Sequence, residues 1–260
     1  MPYLVSDGLR LHYEVHGSGE PVVLLHGATV SFEHNFAIYG WIERLNSAGL
    51  QVIGLDFRGH GKSDKPHDAD FYGTANLASD VLAVAQHLNI NRVSLIGYSL
   101  GAAVALHLLQ ASPQRFTRAA LVATGDGLIG FPPHTFDRVI PPLALLLART
   151  EYPTDLPPHL AAYWNFVAIT GGDPQALIAL SRASYPPLSA EQASAIDTPT
   201  LVVSGENDPV LGRGPRLAAA LGRGSYLEVA GADHFSLAAD ASVQIAVSSF
   251  LSSKPAVPRL

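Results

Sequence analysis

Cysteine is absent from the 260 residues, which removes disulfides and thiolate chemistry together. No run of about 18 apolar residues occurs, so no membrane-spanning helix is expected. The opening residues MPYLVSDGLR lack a charged stretch followed by an apolar one, so no secretory leader is expected and a cytoplasmic location is. Basic residues are outnumbered by acidic ones, 16 to 22, and the net charge of −6 argues against nucleic acid as the main partner. The densest group of ligand-type residues, His67-Asp68-Ala69-Asp70, fits no metal spacing. Gly212, Gly214 and Gly224 lack the strand context and the lysine of a phosphate loop. Neither a metal nor an organic cofactor is therefore expected. What is present is an ordinary folding composition, 48% hydrophobic and 15% charged, in a chain long enough for one domain with an insertion.

Short apolar runs alternate with helix-like ones. RLHYEVHG (10–17) has period two and reads as a half-exposed antiparallel strand near a sheet edge. PVVLLHG (21–27), QVIGLDF (51–57), RVSLIGY (92–98), RAALVAT (118–124), PTLVVSG (199–205) and SYLEVAG (225–231) read as buried strands. Helical patterns cover Thr74 to Leu88, with Thr74 as N-cap, then Ser99 to Gln110, Leu211 to Leu221 and Ser242 to Leu251. This succession implies a mostly parallel sheet with helices on both faces. The rhythm breaks between about Asp126 and Ile196, where prolines gather and no strand-like run occurs. That segment reads as a helical cap (126–196) inserted in a core made of residues 1–125 and 197–260, and SSKPAVPRL reads as a frayed tail.

Gly97-Tyr98-Ser99-Leu100-Gly101 follows a strand pattern and opens a helix pattern, which is the context G-x-S-x-G requires. A serine hydroxyl becomes a useful nucleophile only when a base takes its proton, a third group orients that base, and N–H donors receive the developing oxyanion. GENDP puts Asp208 after one strand and GADHF puts His234 after the next, so the order is Ser99, Asp208, His234, each at a C-terminal strand end. Asp126, after the strand RAALVAT, is the alternative acid. His26-Gly27-Ala28 ends an earlier strand, which makes the backbone N–H groups of Ala28 and Leu100 the expected oxyanion donors. His26 itself reads as structural.

The segments VVLLHG (22–27), DFRGHGKSD (56–64), GYSLG, GENDP and GADHF resemble the α/β-hydrolase fold superfamily, and a serine-nucleophile, esterase-like member of it. The resemblance implies an eight-stranded sheet with an antiparallel second strand and a cap inserted after the sixth. It also implies that Asp56, Arg58, His60 and Ser63 are structural. The implied activity is hydrolysis of a carboxylic ester, or a related acyl bond, of a small and mainly apolar molecule. Aspartate-nucleophile relatives such as dehalogenases and epoxide hydrolases are disfavoured by Ser99. Carbon–carbon hydrolases of ring-cleavage products usually carry tryptophan where this chain has Phe235. They need a cap arginine, for which Arg138, Arg149 and Arg182 are candidates. Cofactor-free haloperoxidase or perhydrolase activity needs no further residue. A signal receptor that keeps the triad is the alternative of another class. Phe32, Tyr98, Phe131, Trp164 and Phe235 are the candidate substrate contacts.

Overall fold

A computed structural model of the chain describes residues 2–129, 167 and 169–253. Eight strands form one sheet: β1 (Tyr3–Ser6), β2 (Leu9–His16), β3 (Glu20–Leu25), β4 (Leu50–Leu55), β5 (Val93–Tyr98), β6 (Phe116–Val122), β7 (Thr200–Gly205) and β8 (Gly224–Val229). Their spatial order is β1-β2-β4-β3-β5-β6-β7-β8. β2 runs antiparallel to both of its neighbours, and every other pair is parallel. β3, β5 and β7 are the continuous apolar runs, and their inner positions are buried because helices cover both faces. On one face lie α3 (Thr74–His87), α4 (Leu100–Ala111) and the helix Pro215–Ala220, whose Leu77, Val81, Val104, Leu108 and Leu217 share a core with Leu25 and Leu95. On the other face lie α1 (Phe32–Asn35), α2 (Trp41–Ser47) and the helix Ala241–Ser252, whose Phe32, Trp41, Leu45, Val243 and Val247 pack with Val22, Ile96 and Val203.

Several expectations need correcting. β1 joins the sheet through Asp7-Gly8, with φ of 51° and 76°, the two positive values that a tight hairpin turn demands. β8 is the sheet's other edge and only partly buried, because β7 is its one hydrogen-bonded neighbour. Gly73, not Thr74, is the N-cap of α3, and Thr74 is buried inside its first turn. The helix expected from Leu211 begins at Pro215, whose fixed φ suits a first helical position. In the segment between β6 and β7, Pro174–Arg182 is capped by Asp173 and Ala190–Ser194 by Ser189. The rest of the expected cap, residues 130–166 and 168, lies outside the described residues.

DFRGHGKSD folds as a buried polar knot beside the C-terminal end of β4. The Asp56 carboxylate accepts the N–H of Phe32 at 2.9 Å and of Lys62 at 3.0 Å and meets His12 Nδ1 at 3.0 Å. Arg58, buried, grips Asp80 through Nε and Nη2, each at 2.7 Å. Ser63 donates to the Asp56 carbonyl at 2.6 Å and accepts His12 N–H at 2.9 Å. Burial alone would raise the Asp56 carboxyl, but the bond from His12 and the two backbone N–H groups outweigh it and hold the carboxyl down to about 2, from an ordinary 3.8. A carboxyl lowered by folding stabilises the native state above its unfolded value and ceases to do so as pH falls through its folded value. The urea stability of the protein should therefore lose about 2 kcal/mol more than that of Asp56→Asn between pH 4 and pH 2. Parallel pH curves for the two proteins would contradict this reading of the knot.

Candidate active site

The turn between β5 and α4 forces Ser99 to φ 52° and ψ −109°, a region that a residue with a side chain rarely occupies. The flanking glycines make that turn possible. A Cβ on Gly97 would lie 2.4 Å from the Gly101 carbonyl oxygen, and one on Gly101 would lie 2.0 Å from the Leu25 carbonyl oxygen. Ser99 N–H donates to Val122 O at 2.9 Å, so the turn is also tied to β6. The side chain of Ser99 is left half-buried at the C-terminal edge of the sheet.

His234 and Asp208 arrive from the loops after β8 and β7. His234 Nε2 is 3.0 Å from Ser99 Oγ, and Nδ1 is 2.8 Å from Asp208 Oδ2. The Asp208 carboxylate is fully buried, and its Oδ1 accepts the N–H groups of Val210 at 2.8 Å and Leu211 at 3.1 Å. A carboxylate held at both oxygens takes the proton of Nδ1 as its partner, which leaves a lone pair at Nε2 for the serine hydroxyl. The two loops are tied to each other: Asn207 N–H donates to Ala232 O at 2.9 Å and Gly231 N–H to Glu206 Oε2 at 2.9 Å. The carboxylate of Asp126 is occupied elsewhere, accepting Leu217 N–H at 2.8 Å in the first turn of the helix Pro215–Ala220.

The loop after β3 brings Ala28 to the same edge. The N–H groups of Ala28 and Leu100 donate to no acceptor among the described residues. Their neighbours are firmly held. Gly27 N–H donates to Asn35 Oδ1 at 2.8 Å, and Thr29 N–H, at φ 70°, donates to His60 Nε2 at 3.2 Å. His26 accepts Phe57 N–H at Nε2, 3.0 Å away, and donates from Nδ1 to Gly27 O at 2.7 Å. His60 repeats the pattern, donating from Nδ1 to Arg58 O at 3.1 Å. A ring that accepts at one nitrogen and donates at the other is neutral. Burial pushes both imidazoles the same way, lowering His26 and taking His60 down to about 3. Both therefore serve as fixed dipolar braces of the loop.

The candidate contacts fare differently. Phe32 is a core side chain: its ring occupies the space over Gly54 of β4, where a Cβ would come within 2.5 Å of it, and it stacks on His16. Tyr98 is buried, and its hydroxyl donates to the main-chain carbonyl of His234 at 2.6 Å. Phe235 is 54% exposed and sets its ring edge-on to His234 at 5.4 Å. Phe131 and Trp164 lie outside the described residues. The bracing bonds of His60 and Tyr98 escape a reading of sequence, because each partner lies far along the chain, and Asn35, eight residues beyond Gly27, carries no motif that marks it. Among the described residues no group of three His, Asp or Glu could hold a metal ion, and no helix is long and apolar enough to cross a membrane.

The family model of the alpha/beta hydrolase fold matches residues 20–195, and a second model, of TAP-like protein, matches residues 179–259. The chain belongs to the α/β-hydrolase fold family, and it is a hydrolase of that family. It is 29% identical over 237 residues to a non-heme chloroperoxidase of Streptomyces lividans, covering 79% of this chain and 81% of that one. A hydrolase structure from Pseudomonas aeruginosa superposes with a TM-score of 0.78 at 25% identity, covering 97% of this chain and 98% of its own. An esterase structure from a Rhodococcus species gives 0.73 at 26% identity, covering 96% and 98%.

Gly27 shows how closely the loop passes the serine. Its backbone is not in the left-handed region, and a Cβ there would meet only ordinary contacts, 3.5 Å from Ser99 Cβ and 3.6 Å from Tyr98 Cδ1. Gly27→Ala should therefore fold with unchanged or slightly raised thermal stability. The added methyl nevertheless crowds the space beside the serine, and hydrolytic turnover should fall at least about tenfold. Wild-type turnover in a fully folded Gly27→Ala would refute this account of the loop.

Proposed function

We propose that the protein is a serine esterase that cleaves carboxylic esters of small, mainly apolar molecules through an acyl-enzyme on Ser99. The observation that carries the reading is the unbroken chain from Ser99 Oγ to His234 Nε2 and from His234 Nδ1 to Asp208, at 3.0 and 2.8 Å, beside two N–H groups that donate to no described acceptor. In the first half-reaction Nε2 takes the hydroxyl proton as Oγ bonds to the ester carbonyl carbon. The carbonyl oxygen becomes an oxyanion between the N–H groups of Ala28 and Leu100, the latter opening α4, where the helix dipole favours negative charge. Asp208 stabilises the imidazolium. Collapse expels the alcohol oxygen, which takes the proton from Nε2. Water then repeats the sequence on the acyl-enzyme, releasing the carboxylic acid and restoring Ser99. The named esterase among the structural relatives supports this chemistry. On this reading the insertion of residues 126–196 serves as the cap, and Phe235, exposed beside His234, is a substrate contact.

The likeness to a non-heme chloroperoxidase favours one second reading. Hydrogen peroxide in place of water would attack the same acyl-enzyme, giving a peracid and the free serine. The two readings share Ser99, His234 and Asp208 and differ only in the second nucleophile.

Turnover of p-nitrophenyl esters of increasing acyl length, with and without peroxide, tests both. Ser99→Ala should lose about 10⁴-fold or more in kcat, and Asp208→Asn about 10³- to 10⁴-fold, because the asparagine no longer enforces the tautomer. Asp126→Asn should stay within about threefold, since an amide oxygen can still accept Leu217 N–H. Ester turnover that survives Ser99→Ala, or a larger loss from Asp126→Asn than from Asp208→Asn, would overturn the assignment.

A further inference from the structure

Tyr98 is the residue before the serine, and its main chain is the last rung of β5, paired with Val122 of β6. Its side chain does something unrelated to the turn. The phenol crosses to the loop after β8 and donates to the carbonyl of His234 at 2.6 Å. The ring lies edge-on to the His234 imidazole at 6.2 Å and to Phe36 at 6.5 Å, and Phe36 packs edge-on against Trp41 at 5.6 Å. It is thus a rigid strut with both ends fixed. Burial raises the phenol, so the hydroxyl keeps its proton and donates throughout the working pH range.

The rest of the histidine loop is referenced elsewhere. Among the described residues, the other main-chain hydrogen bonds of residues 230–236 run within the loop, back to Val229, onward to Ala239, or across to Asn207 and Glu206. Those last two belong to the loop that carries Asp208. The acid and the histidine therefore form one tied unit, and the tie says nothing about where the serine is. Within residues 230–236, the bond from Tyr98 is the main-chain link to β5, the strand that presents Ser99.

We propose that Tyr98 is a positioning residue: by holding the main-chain carbonyl of His234 it sets the reach of the imidazole to Ser99, while the pairing of His234 with Asp208 is independent of it. This rests on the acyl-transfer reading given above. It replaces a substrate contact with a strut, and the two roles have different kinetic signatures. A strut acts on the chemical step of every substrate alike. A contact acts on binding and changes with acyl length.

The test is Tyr98→Phe, which removes one oxygen and keeps the ring, beside Tyr72→Phe as a matched control. Tyr72 is also buried and also donates to a main-chain carbonyl at 2.6 Å, that of Pro66, away from the serine. Both variants and Ser99→Ala are assayed on p-nitrophenyl acetate, butyrate and octanoate across pH, with thermal midpoints recorded. Tyr98→Phe should lower kcat about 10- to 100-fold by the same factor on all three esters, with KM within about twofold. Tyr72→Phe should lower the midpoint comparably and leave kcat at the wild-type value. A Tyr98→Phe enzyme with wild-type kcat, or one whose loss varies with acyl length or falls on KM, overturns the strut while the acyl-enzyme reading stands. Ester turnover undiminished in Ser99→Ala overturns that reading and the strut with it.

Discussion

A side-chain carbon at residue 101 would sit 2.0 Å from the carbonyl oxygen of Leu25, and one at residue 97 would sit 2.4 Å from the carbonyl oxygen of residue 101. Those two approaches press the start of α4 against β3 and pin the turn between them, and Ser99 has nowhere to go but φ 52°. Strain of this kind costs of order 1–3 kcal/mol and persists only where the surroundings over-determine it. Here they do: β3 and β6 flank β5, Val122 takes the serine's N–H, and the buried faces of α4 lock the helix onto the sheet. The position of Ser99 is a consequence of close backbone packing, so the candidate site inherits the rigidity of the core.

Around that fixed point the structure arranges two independent supports. On one side Asn35 accepts Gly27 N–H, His60 accepts Thr29 N–H and His26 ties the loop after β3 to Phe57, while Ala28 N–H donates to no acceptor among the described residues. The imidazoles can do this because burial keeps them neutral, each accepting at Nε2 and donating at Nδ1. On the other side the loops after β7 and β8 are knotted together, so that Asp208 and His234 move as a pair. Acyl transfer on the proposed reading needs all three parts in register, because a preorganised donor or base is worth far more than one that must find its place during reaction.

How much of this could be read from residue order depended on whether the deciding contact was local. β3, β5 and β7 announce themselves as unbroken apolar runs because both faces are covered. β1 is only four residues long, and its signal was the Asp7-Gly8 pair. β8 has the same look as a central strand, but an edge is defined by the absence of a neighbour, which no local pattern records. Ser99, Asp208 and His234 were legible because each ends a strand in a recognisable motif. Phe32 reads as a substrate contact from sequence because the hollow it fills is made by Gly54, on a strand 22 residues away. The bond from Tyr98 spans 136 residues and that from Thr29 to His60 spans 31, so neither leaves a trace in spacing.

The central claim is that Ser99 is the residue that becomes acylated. The most direct measurement is the intact mass of the protein after treatment with an alkyl fluorophosphonate, followed by peptide mapping, in the wild type, Ser99→Ala and His234→Ala. The account predicts one phosphonyl group per chain, bonded at Ser99, formed far more slowly in His234→Ala and not at all in Ser99→Ala. A stoichiometric adduct at any other residue, or labelling that persists in Ser99→Ala, would contradict it.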